Sequence, residues 1–192
     1  PPLRVVSCHL GGSSSITGIL NGAAVGNSMG LSPQSGLPQN NRVGDLDSMA
    51  VLHMMRRDGL SIDDVENALC NEGGLKGLSG GHNDIRDIVS EAGSGNAQAK
   101  LALDVYVHSA RHWLGAYLAQ LNGLDALVFT AGIGENRAGI RAVQDADPFP
   151  ASSIAIPPDW PGRLVRSSTS RPNLGTRLRL WTLIDSSMLS PT

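Results

Sequence analysis

Hydrophobic and polar residues alternate loosely at the start of the chain, and this alternation predicts β-strands. Two strands are expected at residues 3–9 and 13–20, on either side of a turn with two consecutive glycines. The Asn-Gly pair at residues 21–22 favours a tight β-hairpin, and a third strand is expected at residues 23–27. The chain therefore opens with three antiparallel strands.

Apolar residues then recur every three or four positions, which predicts helices. A first helix is expected at residues 46–57, and a second follows a capping box formed by Ser61 and Asp64. A third helix begins near residue 83 or 84, and the longest runs from about residue 96 to 121. The first helix carries apolar residues on one face, Leu46, Met49, Ala50 and Leu52. Its methionines, Met49, Met54 and Met55, are expected to fill the core.

A short apolar run at residues 127–129 ends abruptly in a glycine-rich segment at residues 130–136. We expect a buried strand, a turn and then the start of a helix. Glycine accepts positive φ and lets a ligand approach the backbone, and free N–H groups at a helix start favour an anion. A similar turn at residues 78–83 leads to Asp84, which is also a good helix N-cap. Each turn by itself is equally compatible with a simple tight connection.

A long connection, residues 28–45, separates the strands from the helices and carries three glycines and two prolines. Loops of more than about 12 residues inside compact domains are usually functional or disordered. Arg42 is the one cation in this loop. Its guanidinium could neutralise charge on a phosphoryl group during transfer, and a solvated surface arginine is the alternative interpretation.

The net charge and the lengths of the apolar runs argue against nucleic acid and membrane as partners. The 192 residues have a formal net charge of -2, without a basic stripe for nucleic acid or an anionic membrane. There is no apolar run of the roughly 20 residues needed to cross a bilayer, and no signal-peptide pattern, so a cytoplasmic protein is expected. His108 and His112 have a helical spacing but no acidic or cysteine partner, and we predict no metal site of the protein's own.

The composition changes near residue 143. The first 142 residues hold 21 of the 23 glycines, whereas the last 50 hold seven of the 11 prolines and neither lysine nor glutamate. We expect a domain at residues 1–142 and an atypical tail, rich in proline, serine and arginine, at residues 143–192. This tail is expected to be poorly ordered, loosely docked or translated out of frame. Because the first residue is proline, we also expect the natural chain to begin upstream.

Five motifs resemble, in order and spacing, those of the acetate kinase family, which belongs to the actin-like and sugar-kinase ATPase superfamily. Together they are far more specific than any single glycine-rich turn. The motifs are HLG at residues 9–11, NSMGLSPQSGLP at 27–38, RVGDLD at 42–47, GLSG at 77–80 with DIRD at 84–87, and DALVFTAGIGEN at 125–136.

The resemblance implies an α/β fold of the ribonuclease H-like, actin-like ATPase type, with a three-stranded antiparallel start and helices packed on a mixed sheet. It implies ATP-dependent phosphoryl transfer to acetate, giving acetyl phosphate and ADP, with Mg²⁺ bridging the phosphates. It also implies nucleotide and a short-chain carboxylate as partners, and a homodimer in the full-length protein.

The resemblance further assigns site residues. Arg42 would stabilise the transition state. The residues expected to contact the phosphates are His9, Leu10, Gly11, Gly12 and Ser13, and those expected to line the adenine and ribose pocket are Asp84, Ile85, Arg86, Gly132, Ile133, Gly134, Glu135 and Asn136.

The chain departs from the family pattern in three places. The family's HLGNG reads HLGGS at residues 9–13, so an asparagine amide near the phosphates is missing, and the hydroxyls at residues 13–15 are the candidate substitutes. The N-terminal half with the carboxylate-binding residues and the C-terminal Thr-Asn-Glu-Glu segment have no counterpart. By resemblance, we therefore expect residues 1–142 to be the C-terminal, nucleotide-binding domain of an acetate kinase, and we expect the chain alone to be inactive. The alternatives are a non-catalytic nucleotide-binding or dimerisation module, and a truncated remnant of a propionate or other short-chain acid kinase.

Overall fold

The computed structural model describes residues 1–136 and the backbone of residues 163–166. The predicted antiparallel opening is confirmed: the strands are β1 (Arg4–Leu10), β2 (Ser14–Leu20) and β3 (Ala23–Asn27). The Asn-Gly hairpin between β2 and β3 has positive φ at both residues, 52° and 82°, as a tight hairpin turn requires.

Two further strands complete a mixed sheet of order β3-β2-β1-β4-β5, where β4 is Ala126–Thr130 and β5 is Arg163–Arg166. Strand β4 pairs in parallel with β1, from Val5 opposite Ala126 to His9 opposite Thr130. The carboxyl ends of β1 and β4 therefore lie at the same edge of the sheet. This edge brings the β1–β2 turn next to the segment that follows β4.

Six helices and the loops between them make up the rest of residues 1–136. The predicted capping box of Ser61 and Asp64 is present at the start of α2, and Asn96 caps the long helix α5. One short helix, α3, was not predicted. The helices are α1 (Ser48–Asp58), α2 (Ile62–Cys70), α3 (Gly74–Leu78), α4 (Ile85–Gly93), α5 (Ala97–Leu121) and α6 (Ala131–Asn136).

The core lies between α5 and the sheet. Tyr117 of α5 lies across two strands, and a Cβ at Gly18 or Gly26 would come within 2.5 or 2.9 Å of its ring. Glycine at these strand positions therefore allows the helix to approach the sheet closely. The largest fully buried side chains are Tyr106, Phe129, Leu10, Ile16, Leu37, Leu75, Ile88, Leu127, Gln39, Val6 and Val107.

The prediction that the methionines of α1 fill the core is wrong. Helix α1 has no buried residue, and Leu46, Met49 and Leu52 are 43%, 57% and 42% exposed. A helical period identifies an apolar face, but whether anything covers that face depends on the rest of the fold.

Within residues 1–136, no helix combines the length and the apolar character that a bilayer crossing requires. Strand β5 falls in the segment predicted to be an atypical tail. The rest of that tail and the predicted boundary at residue 142 lie outside the described residues.

Candidate functional site

A cleft of about 380 Å³ opens at the sheet edge where β1 and β4 end. Three segments that are far apart in sequence form its wall: the β1–β2 turn, the start of α4, and α6. One residue of the long loop, Asn40, completes it. The lining residues are Gly11, Gly12, Asn40, Asp84, Ile85, Arg86, Gly132, Ile133 and Asn136. The structure thus brings together members of all three predicted glycine-rich or helix-start segments.

Two buried hydroxyl groups, those of Ser14 and Tyr106, support the β1–β2 turn from the core side. The Ser14 hydroxyl donates to the Gly11 carbonyl at 3.0 Å, and the Gly11 N–H donates to Ser14 at 3.3 Å. The hydroxyl of Tyr106 in α5 lies 2.8 Å from that of Ser14. Burial raises the pKa of Tyr106, so this phenol stays protonated and can serve as a donor. The turn is therefore tied to the centre of the core.

Arg42 reaches the same turn from the long loop. Its Nη1 donates to the Ser13 hydroxyl at 3.0 Å and to the Gln39 side-chain oxygen at 2.8 Å. Gln39 is only 1% exposed, and its Nε2 donates to the Pro33 carbonyl at 2.5 Å. Arg42 is therefore held beside the turn by a buried amide rather than extended into solvent.

The unpredicted helix α3 anchors this part of the loop. The Leu75 N–H donates to the Gln39 carbonyl at 2.8 Å. Gly74 has φ of 59°, and a Cβ there would overlap the carbonyl oxygens of Gln39 and Arg42. Only glycine lets the start of α3 pack this closely against the loop.

At the start of α4, Asp84 is both a cap and part of the cleft wall. Its carboxylate accepts from the Arg86 N–H at 2.8 Å, and the Arg86 Nε lies 3.0 Å from both carboxylate oxygens. The hydrogen bond from this guanidinium to Asp84 raises the pKa of Arg86. The two charged side chains on this wall are thus already paired with each other.

The segment after β4 differs from the predicted turn. It is a short helix that begins directly after Thr130, and the positive φ lies at Ala131, 65°, rather than at a glycine. The Glu135 carboxylate accepts from the Ala131 N–H at 3.1 Å, so this N–H already has an acceptor. The helix start that the sequence predicts after residue 136 lies outside the described residues. Gly132 contributes space instead, because a Cβ there would meet no atom of the described residues within 4 Å.

The remaining predicted residues lie beside the cleft. His9 is exposed, with its Nδ1 2.9 Å from the Thr130 hydroxyl, whereas Leu10 is fully buried in the core. Gly134 is buried, and a Cβ there would lie 3.6 Å from the Leu10 side chain. Leu10 and Gly134 can therefore shape the backbone of the site but cannot offer a side chain to a ligand.

Asn40 is a cleft residue that the sequence motifs do not predict. It lies in a run of four polar residues, 39–42, in the long loop, and nothing in the sequence distinguishes it from Gln39 or Asn41. Its side-chain nitrogen lies 3.4 Å from the point where a Cβ on Gly12 would stand. Only the fold brings these two positions together.

Among residues 1–136, there is no group of three or more His, Cys, Asp or Glu side chains that could hold an ion. Asp84 is paired with Arg86, and Glu135 accepts from the backbone. Residues 1–136 therefore offer a divalent cation few ligands of their own.

Comparisons with known proteins identify the family. The model of the Acetokinase family matches residues 2–146. The acetate kinase of Heliobacterium modesticaldum is 43% identical over 139 residues, which cover 72% of this chain and 35% of that protein. The acetate kinase of Clostridium botulinum is 46% identical with the same coverage.

Solved structures of acetate and propionate kinases resemble the fold of this chain. A propionate kinase from Francisella tularensis has a TM-score of 0.68 and 38% sequence identity over 71% of this chain and 35% of its own. Porphyromonas gingivalis acetate kinase has a TM-score of 0.76 and 26% identity over 98% of this chain and 49% of its own. These neighbours confirm the predicted actin-like ATPase fold class. The chain spans about a third of the length of the curated relatives it matches, and it belongs to the acetokinase family.

Proposed function

We propose that this chain is the nucleotide-binding part of an acetate kinase, which transfers a phosphoryl group from ATP to acetate and gives acetyl phosphate and ADP. One observation carries the proposal: the β1–β2 turn, the start of α4 and α6 converge on one cleft, and Arg42 is bonded to the turn at its side. Together with membership of the acetokinase family, this arrangement favours a nucleotide over other ligands.

The chemistry requires little covalent help from the protein. A carboxylate oxygen of acetate forms a bond to the γ-phosphorus of ATP while the bond from that phosphorus to the bridging oxygen breaks, and ADP leaves with the electron pair. Such transfer depends on positioning and on neutralising charge in the transition state. Arg42 is the proposed source of positive charge, and its contacts with Ser13 and Gln39 would keep the guanidinium aimed at the phosphates.

The other assignments follow the same proposal. Mg²⁺ would enter with the nucleotide, because the described residues provide no cluster of ligands for it. His9 to Ser13 would lie against the phosphates, and the start of α4 with α6 would lie against the ribose and adenine. The acceptor would be acetate or another short-chain acid, and we infer a cytoplasmic enzyme that forms a homodimer in its full length.

Binding is tested by titrating the purified chain with Mg-ADP and Mg-ATP, followed by calorimetry and by amide chemical shifts. We expect saturable binding weaker than micromolar, because association must overcome the loss of rigid-body freedom in a broadly open cleft. The shifts should concentrate at Gly12, Arg86 and Gly132. The absence of both heat and chemical shift changes at millimolar nucleotide would contradict the proposal.

Catalysis is tested in a complete enzyme. Residues 2–136 are grafted in place of the corresponding segment of the Heliobacterium modesticaldum acetate kinase, and acetyl phosphate is trapped as the hydroxamate. We expect an active graft and a loss of at least about a hundredfold in kcat for Arg42→Ala. A folded graft that binds nucleotide but forms no acetyl phosphate would instead favour a non-catalytic module.

A further inference from the structure

We propose that the side-chain amide of Asn40 binds the phosphates of the nucleotide and takes the place of the amide that the β1–β2 turn lacks at Gly12. The inference rests on the proposed nucleotide site. It assigns to the long loop a binding residue that neither the family pattern of the turn nor the sequence of the loop indicates.

The backbone of Asn40 is fixed on two sides. Its N–H donates to the Gly12 carbonyl at 3.2 Å, and its carbonyl accepts from the Lys76 N–H at 2.8 Å. The residue is thus bound both to the β1–β2 turn and to helix α3. Its side chain then lies on the cleft wall, with Nδ2 3.4 Å from the position of a Cβ on Gly12. An amide from residue 40 therefore reaches the space that a side chain at residue 12 would enter.

The Asn40 amide is also uncommitted. Its side chain is half-buried and makes no hydrogen bond to any of the residues that the structure describes. The other polar side chains of the cleft wall are engaged: Asp84 with Arg86, and Asn136 through its Nδ2 with the Gly132 carbonyl. A carboxamide offers two N–H donors, and an ionised phosphate oxygen is a strong acceptor for them.

The position favours phosphate over adenine. Asn40 is two residues from Arg42. The backbone N–H of Asn40 contacts Gly12, and the Arg42 guanidinium contacts Ser13, the next residue of the same turn. A neutral donor and a cation therefore flank the β1–β2 turn together. The start of α4 and α6 form the other walls of the cleft.

The test compares Mg-ADP with adenosine in titrations of the whole chain. For Asn40→Ala we expect the Kd for Mg-ADP to rise about tenfold, as for one hydrogen bond to a charged group, and the Kd for adenosine to stay unchanged. Asn41→Ala is the matched control, because it removes the same side chain from the next loop position, outside the cleft wall. It should alter neither affinity.

A relocated amide separates binding from a structural role. Gly12 has no positive φ, so asparagine fits its backbone. We expect Gly12→Asn introduced into Asn40→Ala to restore most of the lost Mg-ADP affinity, whereas Asn40→Asp should weaken Mg-ADP further by repelling the phosphates. Thermal unfolding confirms that each variant is folded.

The outcomes are distinct. If the unaltered chain binds Mg-ADP and Asn40→Ala binds it equally well, this inference fails and the proposed function stands. An equal loss for Mg-ADP and adenosine, or a failure of Gly12→Asn to restore binding, also overturns it. If the unaltered chain binds neither ligand, both proposals fall.

Discussion

The guanidinium of Arg42 donates to the hydroxyl of Ser13 across 3.0 Å, and this contact joins the long loop to the β1–β2 turn. The family pattern has glycine at position 13, whereas the serine here gives the arginine an acceptor on the turn itself. Gln39 supplies the second acceptor from a fully buried position. The cation is thus placed by two side chains on different elements.

We predict that Gln39→Leu lowers the free energy of unfolding by about 1–3 kcal/mol, because the Pro33 carbonyl then loses its buried donor. The same variant frees Arg42 from its buried acceptor. Arg42→Gln should have a much smaller effect on stability, since its partly exposed guanidinium can be replaced by water. Urea unfolding of the two variants checks this, and equal losses would contradict the prediction.

Gly132 should be needed for ligand access and not for folding. Within the described part of the chain, a Cβ at this position meets no atom within 4 Å, and the residue lines the cleft without a positive φ. We predict that Gly132→Val removes detectable Mg-ADP binding while the unfolding free energy changes by less than about 1 kcal/mol. Gly115→Ala is the control, because Gly115 in α5 also has open space around it and lies outside the cleft. It should preserve binding, as calorimetric titration can show.

Tyr106 should rigidify the β1–β2 turn. We predict that Tyr106→Phe costs about 1 kcal/mol or more, since the Ser14 hydroxyl loses a buried partner, and that amide exchange at Gly11 becomes faster. Tyr117→Phe is a matched control on the same helix, where the hydroxyl has no hydrogen-bond partner among the described residues. Unchanged exchange at Gly11 in Tyr106→Phe would show that the hydroxyl pair does not support the turn.

The ion pair between Arg4 and Asp125 should make stability depend on pH. The hydrogen bond from the Arg4 guanidinium, at 2.7 and 3.0 Å, lowers the pKa of Asp125. A carboxyl group whose pKa is lower in the folded state contributes stability above its unfolded pKa of about 3.9 and loses it as the pH falls through the folded value.

We therefore predict that Asp125→Asn is less stable than the unaltered chain at pH 7 and that the difference vanishes in acid, below the folded pKa of Asp125. Unfolding in urea at a series of pH values measures it. Arg4→Gln should behave in the same way, because it removes the other member of the pair. A difference that is constant from pH 7 to pH 2 would indicate a loss of packing rather than of charge.

Local chemistry explains the parts of the fold that could be predicted from the sequence. Three of these parts depend on residues that lie close together in the chain. They are the Asn-Gly turn, the capping box of Ser61 and Asp64, and the apolar residues that recur every three or four positions along α5. Helix α3 was missed because its five residues are too few for a period, and because Gly74 is required by contacts with the distant loop. The backbone after Thr130 was assigned incorrectly, since glycine content suggested a turn and tertiary contacts made a short helix.

The sequence by itself determined the family, the strand order at the start and most of the segments that meet at the cleft, because the motifs and caps are short-range patterns. Tertiary structure alone decided that α1 exposes its apolar face, that Gln39 and Ser13 hold Arg42, and that Asn40 stands beside Gly12. The physical reason is that burial and hydrogen bonding between side chains many residues apart depend on how the elements pack. No local periodicity encodes that packing.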